Sequence, residues 1–411
     1  MERADAVIVG GGIGGASLAC ALAEADLDVA VLEASEVFED RVRGEQMHAW
    51  GVREARELGV EQVLLDAGAH VVALWKQYND LGGEPTEIPM SMMVPEVAGT
   101  LNLRHPDACQ ALLDAASRSG AGVERGVADV SLGSGQPRTV AYRTSSGTHR
   151  VEAPLVIGAD GRRSTIRRQA GITLERQPAT GYIAGLLLDD LDTIPNDHDV
   201  MVGEGDLFFI LFHQGHGRAR AYIAVGAADQ HRFAGRSATE QFLETLRLTS
   251  YPHADAVASA IPAGPCATYP GDDTWTASPY ADGIVLVGDA AGYNDPIIGE
   301  GLSIAMRDAR IVRDLVIDGA RSPEDFGSYG EERLERMRRL RLIADVIAAV
   351  HIEDGGDRQA RRRWLGKKLA TTDPEVFPLL VGSFSGPETI PAEVADEAIL
   401  EEIRAADRAD H

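Results

Sequence analysis

The stretch Ala6-Val7-Ile8-Val9-Gly10-Gly11-Gly12-Ile13-Gly14-Gly15 decides the fold. Its first four residues are apolar and read as a short buried strand. The glycines form a turn, Ala16 to Ala25 reads as a helix, and Asp28 to Leu32 reads as a second strand that runs into Glu33. Strand, glycine turn, helix and strand within about thirty residues is the order of a Rossmann βαβ unit. Gly10 permits the tight turn, Gly12 lets the backbone approach a pyrophosphate, and Gly15 lets helix and strand pack closely. The helix start offers free N–H groups and the positive end of its dipole to phosphate. Glu33 is placed to accept hydrogen bonds from a ribose diol, and its charge would repel a 2′-phosphate. The pattern predicts dinucleotide binding without separating FAD from NAD.

The surrounding chain sets the class. Residues 6 to 23 carry no charge and are long enough to raise the question of a membrane span, but the run of glycines and the strand-like start argue against one. The acidic flanks Glu2, Asp5, Glu24 and Asp26 make a poor signal peptide. The 411 residues suit one large domain or two closely joined ones. A net charge of -25 argues against nucleic acid and against anionic membranes. The three cysteines, Cys20, Cys109 and Cys266, have no metal-ligand spacing and imply no disulfide framework, so a cytoplasmic location and no metal site are expected.

Two later stretches repeat the strand-then-loop pattern. Leu155-Val156-Ile157 leads into Gly158-Ala159-Asp160-Gly161-Arg162-Arg163-Ser164. Ile284-Val285-Leu286-Val287 leads into Gly288-Asp289-Ala290-Ala291-Gly292, then Asp295-Pro296 and Gly299-Glu300-Gly301-Leu302, with a helix expected from about 301 to 317. With the N-terminal glycine turn, these stretches resemble the three motifs of the class A flavoprotein monooxygenases, the para-hydroxybenzoate hydroxylase-like family. Order and rough spacing match from residue 10 to 309.

The resemblance implies an α/β fold: a Rossmann-like FAD-binding domain with an inserted β-sheet substrate domain and C-terminal helices. The expected partition is 1–75, 100–175 and 280–320 for the FAD-binding domain, 76–99 and 180–275 for the substrate domain, and 321–411 for the helical region. It implies FAD contacts from Gly10, Gly12, Ile13, Gly14 and Gly15, from Glu33 and Ala34, and from Arg43 and Arg104. Val130 is placed at the adenine, and Asp160 at the pyrophosphate, although a helix-capping role suits Asp160 equally. Gly288, Asp289, Pro296, Gly299, Gly301 and Leu302 complete the set around the sugar chain and the flat ring. Phe208, Phe212, Tyr222 and Pro296 are candidates for the substrate cavity, although core packing explains the aromatic residues as well. His48, His213, His216 and Tyr222 are acid–base candidates, none of which the sequence singles out as catalytic. The arginines of 331–350 read as a solvated helix face.

The implied activity is monooxygenation of a small hydrophobic, aromatic or polycyclic substrate with O2 and NAD(P)H, through a flavin C4a-hydroperoxide. No second nucleotide-binding βαβ unit is present, so NAD(P)H docks beside the flavin or a separate flavin reductase supplies the electrons. Two alternatives stay open. One is an FAD-dependent dehydrogenase or reductase acting on a lipid. The other is a flavin-dependent halogenase; Lys76 is the one lysine outside the C-terminal region, but Trp275-Thr276-Ala277-Ser278-Pro279 does not match that family's W-x-W-x-I-P.

Overall fold

The apolar run at residues 6–9 becomes the strand Ala6–Val9, and the glycine turn opens directly into the helix Ile13–Glu24, three residues earlier than expected. In this computed structural model, which describes residues 2–42 and 44–408, that strand lies inside a six-stranded sheet. The sheet order is Tyr280–Ala281, Ile284–Leu286, Leu155–Gly158, Ala6–Val9, Val29–Glu33, Gly122–Arg125. The five strands from Ile284–Leu286 to Gly122–Arg125 run parallel. All three sequence motifs therefore leave neighbouring strands at one carboxyl edge, where ligands bind in open α/β sheets. Ile8, Ile157 and Val285, from those three strands, are fully buried, as the short apolar runs require.

The uncharged stretch that raised the membrane question is thus a strand and a packed helix. Among the described residues no helix is long and apolar enough to cross a membrane.

A second, eight-stranded sheet carries the order Ile261–Pro262, Gly181–Asp189, Arg218–Gly226, Leu207–Gly215, His198–Glu204, Leu74–Asn79, Thr86–Pro89, with Ala267–Pro270 also paired to Gly181–Asp189. Its centre is buried on both faces. Phe208, Ile210, Phe212, Tyr222 and Ala224 point toward the large core shared with the six-stranded sheet and its helices, while Leu207, Phe209, Leu211, Ile223 and Val225 point into a separate core. This two-sided burial explains why these strands read as continuous apolar runs rather than alternating ones.

The C-terminal region is helical, with helices Gly327–His351, Arg358–Ala370, Val376–Ser385 and Ala398–Ala405. The first corrects the sequence reading. Arg333 and Arg336 are not on a solvated face but buried, at 0% and 3% exposure. Their partner is Asp308, fully buried on the helix Gly301–Ile317: Arg333 Nε reaches Asp308 Oδ2 at 2.9 Å and Arg336 Nη2 reaches Oδ1 at 2.7 Å. Two buried guanidinium groups around one carboxylate hold its pKa below the usual range against the desolvation that would raise it. The periodicity that marked the helix as amphipathic could not report this partner, which lies 25 residues away from Arg333.

Candidate functional site

The glycine turn is built as its chemistry requires. Gly10 has φ +105°, and a Cβ there would meet Ala159 O at 2.3 Å. A Cβ on Gly15 would sit 2.0 Å from Gly10 O, so no side chain fits between helix and turn. At Gly12 a Cβ would meet nothing within 4 Å. Gly12 is the N-cap of Ile13–Glu24 and provides no side-chain cap, and no acidic residue stands in the first turn. The helix start is therefore an open cradle of unpaired N–H groups, which fits a pyrophosphate. Glu33 ends its strand beside this turn. Its Oε2 accepts a hydrogen bond from Gly11 N at 2.6 Å and its Oε1 one from Ser35 N at 2.7 Å. Glu33 therefore braces the glycine turn, a role that spacing alone did not suggest. Ala34 follows it and is exposed.

The second motif is a tightly bonded turn. Asp160 Oδ1 accepts from the Ser164 hydroxyl at 2.5 Å, and Oδ2 accepts from Thr165 N at 2.6 Å and Ile166 N at 3.2 Å. Asp160 thus caps the short helix Thr165–Gln169, together with Ser164, whose hydroxyl accepts from Arg167 N. The motif's arginines reach the third motif. Arg162 pairs with Asp289 (Nε–Oδ2 3.3 Å) and lies 4.3 Å over the Tyr293 ring, and Arg167 donates to Ala290 O at 3.0 Å.

The third motif runs over the carboxyl edge as a short turn, Gly288–Ala291, then a second, Pro296–Ile298, before the helix Gly301–Ile317. Arg333 stitches the first turn from behind, donating to Gly288 O, Ala291 O and Gly292 O at 3.1, 3.0 and 2.8 Å. Asp308 Oδ2 accepts from Gly288 N at 2.8 Å. On the open side, Gly299 adopts φ +69°, a conformation that favours glycine, and a Cβ on Gly301 would meet nothing within 4 Å. The N-cap residue of this helix, Glu300, makes no side-chain cap. Two uncapped helix starts and open glycines thus face the same sheet edge. This donor set fits an extended, doubly phosphorylated cofactor with a flat ring at the Gly299 end. Leu302 is half-buried next to it, and its Cγ lies 3.8 Å from where a Cβ on Gly44 would stand.

Two of the expected contacts have protein partners of their own. Arg104 is the N-cap of helix His105–Arg118 and pairs with Asp107 at 3.5 Å, while its Nε is buried without a partner. Val130, on the strand Ala128–Leu132, is half-buried, and its carbonyl accepts from Gln169. Arg43 lies outside the described residues. On either side of it, Asp40 and Glu45 are fixed to one fully buried arginine of the large sheet: Arg220 Nη2 reaches Asp40 Oδ2 at 2.7 Å, and Nε reaches Glu45 Oε2 at 2.8 Å.

Beside Gly299 is a buried aromatic cluster that the sequence reading only partly anticipated. Phe212 lies 5.8 Å from Tyr222 and 5.7 Å from Trp75. Trp75 stacks on His48 at 5.6 Å, and Phe384, from the C-terminal helix Val376–Ser385, presents its edge to both. A Cβ on Gly299 would come within 3.5 Å of His48 Nε2 and Gln46 Oε1, and within 3.9 Å of Phe212. Pro296, half-buried, opens the turn that ends at Gly299. Phe208 is on the same sheet face as Phe212 but four residues along the strand, about 13 Å away, and stacks on His351 at 4.6 Å instead.

Of the acid–base candidates, His48 and Tyr222 belong to this cluster. His213 is buried near His198 and Asp199, and His216 is exposed in a turn. His48 donates from Nε2 to Ile298 O at 2.9 Å, and burial pushes its pKa down to about 4. Glu300, fully buried, accepts from the Trp50 indole at 3.1 Å, and burial raises its pKa well above the usual range. Burial thus keeps the His48 ring neutral near pH 7 and disfavours the charged form of Glu300. Trp75, Gln46 and Phe384 were invisible to motif reading because they come from three distant segments with no shared pattern.

The family described as FAD binding domain matches residues 3–342. Squalene epoxidase 3 of Arabidopsis thaliana is 28% identical over 319 residues, which cover 76% of this chain and 60% of that protein. Digeranylgeranylglycerophospholipid reductase 2 of Methanopyrus kandleri is 28% identical over 336 residues, covering 79% and 80%. Among solved structures, PqsL of P. aeruginosa in complex with 2-aminobenzoylacetate superposes with a TM-score of 0.74 at 19% identity, covering 93% of this chain and 100% of that one. The flavin-dependent brominase Bmp2 gives 0.76 at 16% identity, covering 99% of both. The chain belongs to the FAD binding domain family and has the fold of the class A flavoprotein monooxygenases.

Proposed function

We propose that the chain is an FAD-dependent monooxygenase that inserts one oxygen atom of O2 into a small hydrophobic substrate, with NAD(P)H as the electron source. The observation that carries this reading is the buried aromatic cluster of His48, Trp75, Phe212, Tyr222 and Phe384 beside Gly299, whose members are all at most 8% exposed. Oxygen transfer needs a dry site next to the flavin, since water diverts the reactive oxygen. Bound FAD supplies the oxygen-activating redox chemistry.

The residues of this chain hold and orient it. Gly10, Gly12, Ile13, Gly14 and Gly15 cradle the pyrophosphate. Glu33 and Ala34 stand at the ribose, with Val130 toward the adenine. Arg43 and Arg104 offer positive charge to the phosphates and ring, Asp160 shapes the adjoining turn, and Gly288 and Asp289 reach the sugar chain. Pro296, Gly299, Gly301 and Leu302 line the flat ring, and the uncapped start of Gly301–Ile317 favours negative charge on the reduced ring. In this reading residues 1–75, 100–175 and 280–320 bind FAD, while 76–99 and 180–275 carry the substrate face. The electron donor docks beside the flavin, or a separate reductase supplies the electrons.

The names of the squalene epoxidases favour epoxidation or hydroxylation of an apolar carbon framework; the chain spans about 60% of the length of the first of them. The match to an archaeal lipid reductase along 80% of that protein favours a second reading, reduction of a lipid double bond. The two separate in one experiment. The purified holoprotein is reduced with dithionite under nitrogen and mixed rapidly with oxygenated buffer. A transient absorption blue-shifted from oxidised flavin supports the monooxygenase. Direct return of the oxidised spectrum supports the reductase.

A further inference from the structure

The turn Pro296–Ile298 is capped by Asp295, whose Oδ1 accepts a hydrogen bond from Ile297 N at 2.9 Å. Behind the loop that leads into this turn runs the short strand Asp273–Trp275, paired with Glu175–Gln177. Loop and strand are pressed together. A Cβ on Gly292 would meet Thr274 O at 2.3 Å, and one on Gly271 would meet Asp295 Oδ2 at 2.5 Å. Asp273, at the start of the strand, accepts from Asn294 Nδ2 at 2.7 Å. Asp273, Asn294 and Asp295 are all at most 6% exposed.

Two buried carboxyls therefore back the turn, and the charges around them do not neutralise them. Asp272 is bonded to the Tyr293 hydroxyl at 3.0 Å and to Arg176 at 2.8 Å. Asp345, from the helix Gly327–His351, is bonded to Gln177 at 2.8 Å. Arg341, from the same helix, is the cation that faces Asp273, but its guanidinium lies 3.8 Å over the Trp275 ring and its Nη1 is buried without a partner. Burial, with Asp273, Asp345 and Asp272 adding like charge, pushes Asp295 up to about 7, and burial pushes Asp273 up to about 6. Like carboxyls in one buried place resist double ionisation and titrate as a pair. A second observation agrees. Asn294 Oδ1 is a buried acceptor with no donor, on the same amide that bonds Asp273. Buried polar atoms are normally paired, and a carboxyl proton is a donor that two carboxylates lack.

We propose that Asp295 and Asp273 hold one exchangeable proton between them, and that the pair takes up a proton from water when the flavin ring beside Pro296 is reduced, so that Asp295 sets how the flavin potential varies with pH. Negative charge arriving on the ring raises the affinity of a neighbouring carboxylate for a proton. The balance is simple: two electrons from the reductant go to the ring, and one solvent proton converts a carboxylate of the pair to a carboxyl. Asp295 acts here through its charge, while its Oδ1 keeps the turn in place. The inference rests on the ring lying along Pro296, Gly299 and Gly301, as in the proposed flavoenzyme. It does not depend on whether the reduced ring then meets O2 or a lipid double bond.

The test reads a potential, not turnover. The FAD holoprotein is reduced under nitrogen beside a reference dye, at a series of pH values on both sides of the two shifted carboxyls. A proton taken up with two electrons steepens the fall of potential by about 30 mV per pH unit. The wild type should therefore fall more steeply than Asp295→Asn, by up to that amount. The variant should match the wild type at the acid end and lie above it at the alkaline end. Asparagine keeps an acceptor for Ile297 N, so a merely structural role would shift the line without changing its slope. Asp273→Asn removes the neighbouring like charge and should move the steep region to lower pH. Parallel lines for the wild type and both variants overturn the proposal. Flavin content is read from the same spectra. If Asp295→Asn alone loses FAD, Asp273→Asn decides by its slope; loss of FAD from both shows a structural role and also overturns the proposal. Absence of the blue-shifted transient in the oxygen experiment would overturn the monooxygenase reading alone.

Discussion

Replacing Arg333 with methionine tests how the Gly288–Gly292 turn is held. The guanidinium is fully buried and makes four hydrogen bonds: one to Asp308 and one each to the carbonyls of Gly288, Ala291 and Gly292. Methionine fills part of the volume and supplies no donor. Asp308 keeps Arg336 and the Gly288 N–H, so its charge is not left bare. The three carbonyls lose this donor, and removing one partner of a buried ion pair costs about 3–5 kcal/mol. Against a total stability of roughly 5–15 kcal/mol the variant should still fold, but with its Gly288–Gly292 turn unsupported. We expect the urea midpoint of the apoprotein, followed by far-UV circular dichroism, to fall accordingly, and FAD to be released on gel filtration. Arg333→Lys separates charge from geometry: one ammonium can neutralise Asp308 but cannot fork to three carbonyls. It should regain most of the stability and less of the flavin. If Arg333→Met loses under about 1 kcal/mol and keeps FAD like the wild type, the loop is not held from behind and the reasoning fails.

Three further outcomes follow from the same geometry. Gly15→Ala places a methyl 2.0 Å from Gly10 O, so it should lose bound FAD and several degrees of Tm, whereas Gly12→Ala, which meets no protein atom, should cost FAD affinity with Tm of the apoprotein unchanged. Glu33→Ala removes the acceptor of Gly11 N and should weaken FAD retention at least tenfold while leaving the fold intact; full flavin occupancy would sink its role. His351 has two unpaired ring nitrogens in the core, and burial pushes its pKa down to about 3. The unfolded chain takes up a proton below about pH 6.5 and the folded chain does not, so stability is lost as pH falls from there toward 3. His351→Leu should raise stability by about 1 kcal/mol at pH 7, the gain from removing unpaired groups less the stacking on Phe208, and should flatten the acid limb of a urea-midpoint-versus-pH profile. A steeper limb would contradict this.

The local signals in the sequence were strong where chemistry and backbone coincide. Gly10 and Gly15 are glycines because the backbone itself fills the space of a side chain, and such a constraint is written at one position. The helix expected from about residue 301 to 317 forms as Gly301–Ile317 for a related reason, since the glycine at its start and the apolar spacing after it are both local. Partners brought in from far along the chain were not legible. Arg333 reads as one more arginine on an amphipathic helix until Asp308 is found opposite it. Trp75, Gln46 and Phe384 become one cluster only when the large sheet, the short strand Gln46–Met47 and a C-terminal helix meet. Glu33 ends its strand as expected, but its hydrogen bond to Gly11 N depends on side-chain reach, which spacing does not encode.

The strand order of the parallel sheet has a consequence for how the protein is made. Ala6–Val9 is translated before both of its neighbours in the sheet, Val29–Glu33 on one side and Leu155–Gly158 on the other, with Ile284–Leu286 beyond. At roughly 5–20 residues per second, one edge of that fully apolar strand stays unpaired for about 7–30 s, and the arginine that clamps the third loop is made about 16–65 s after the strand. For that time the nascent chain presents an open, hydrophobic strand edge to its surroundings. Such edges recruit other chains. Yield on overexpression should therefore be governed by chaperone supply and growth temperature more than by the stability of the finished fold.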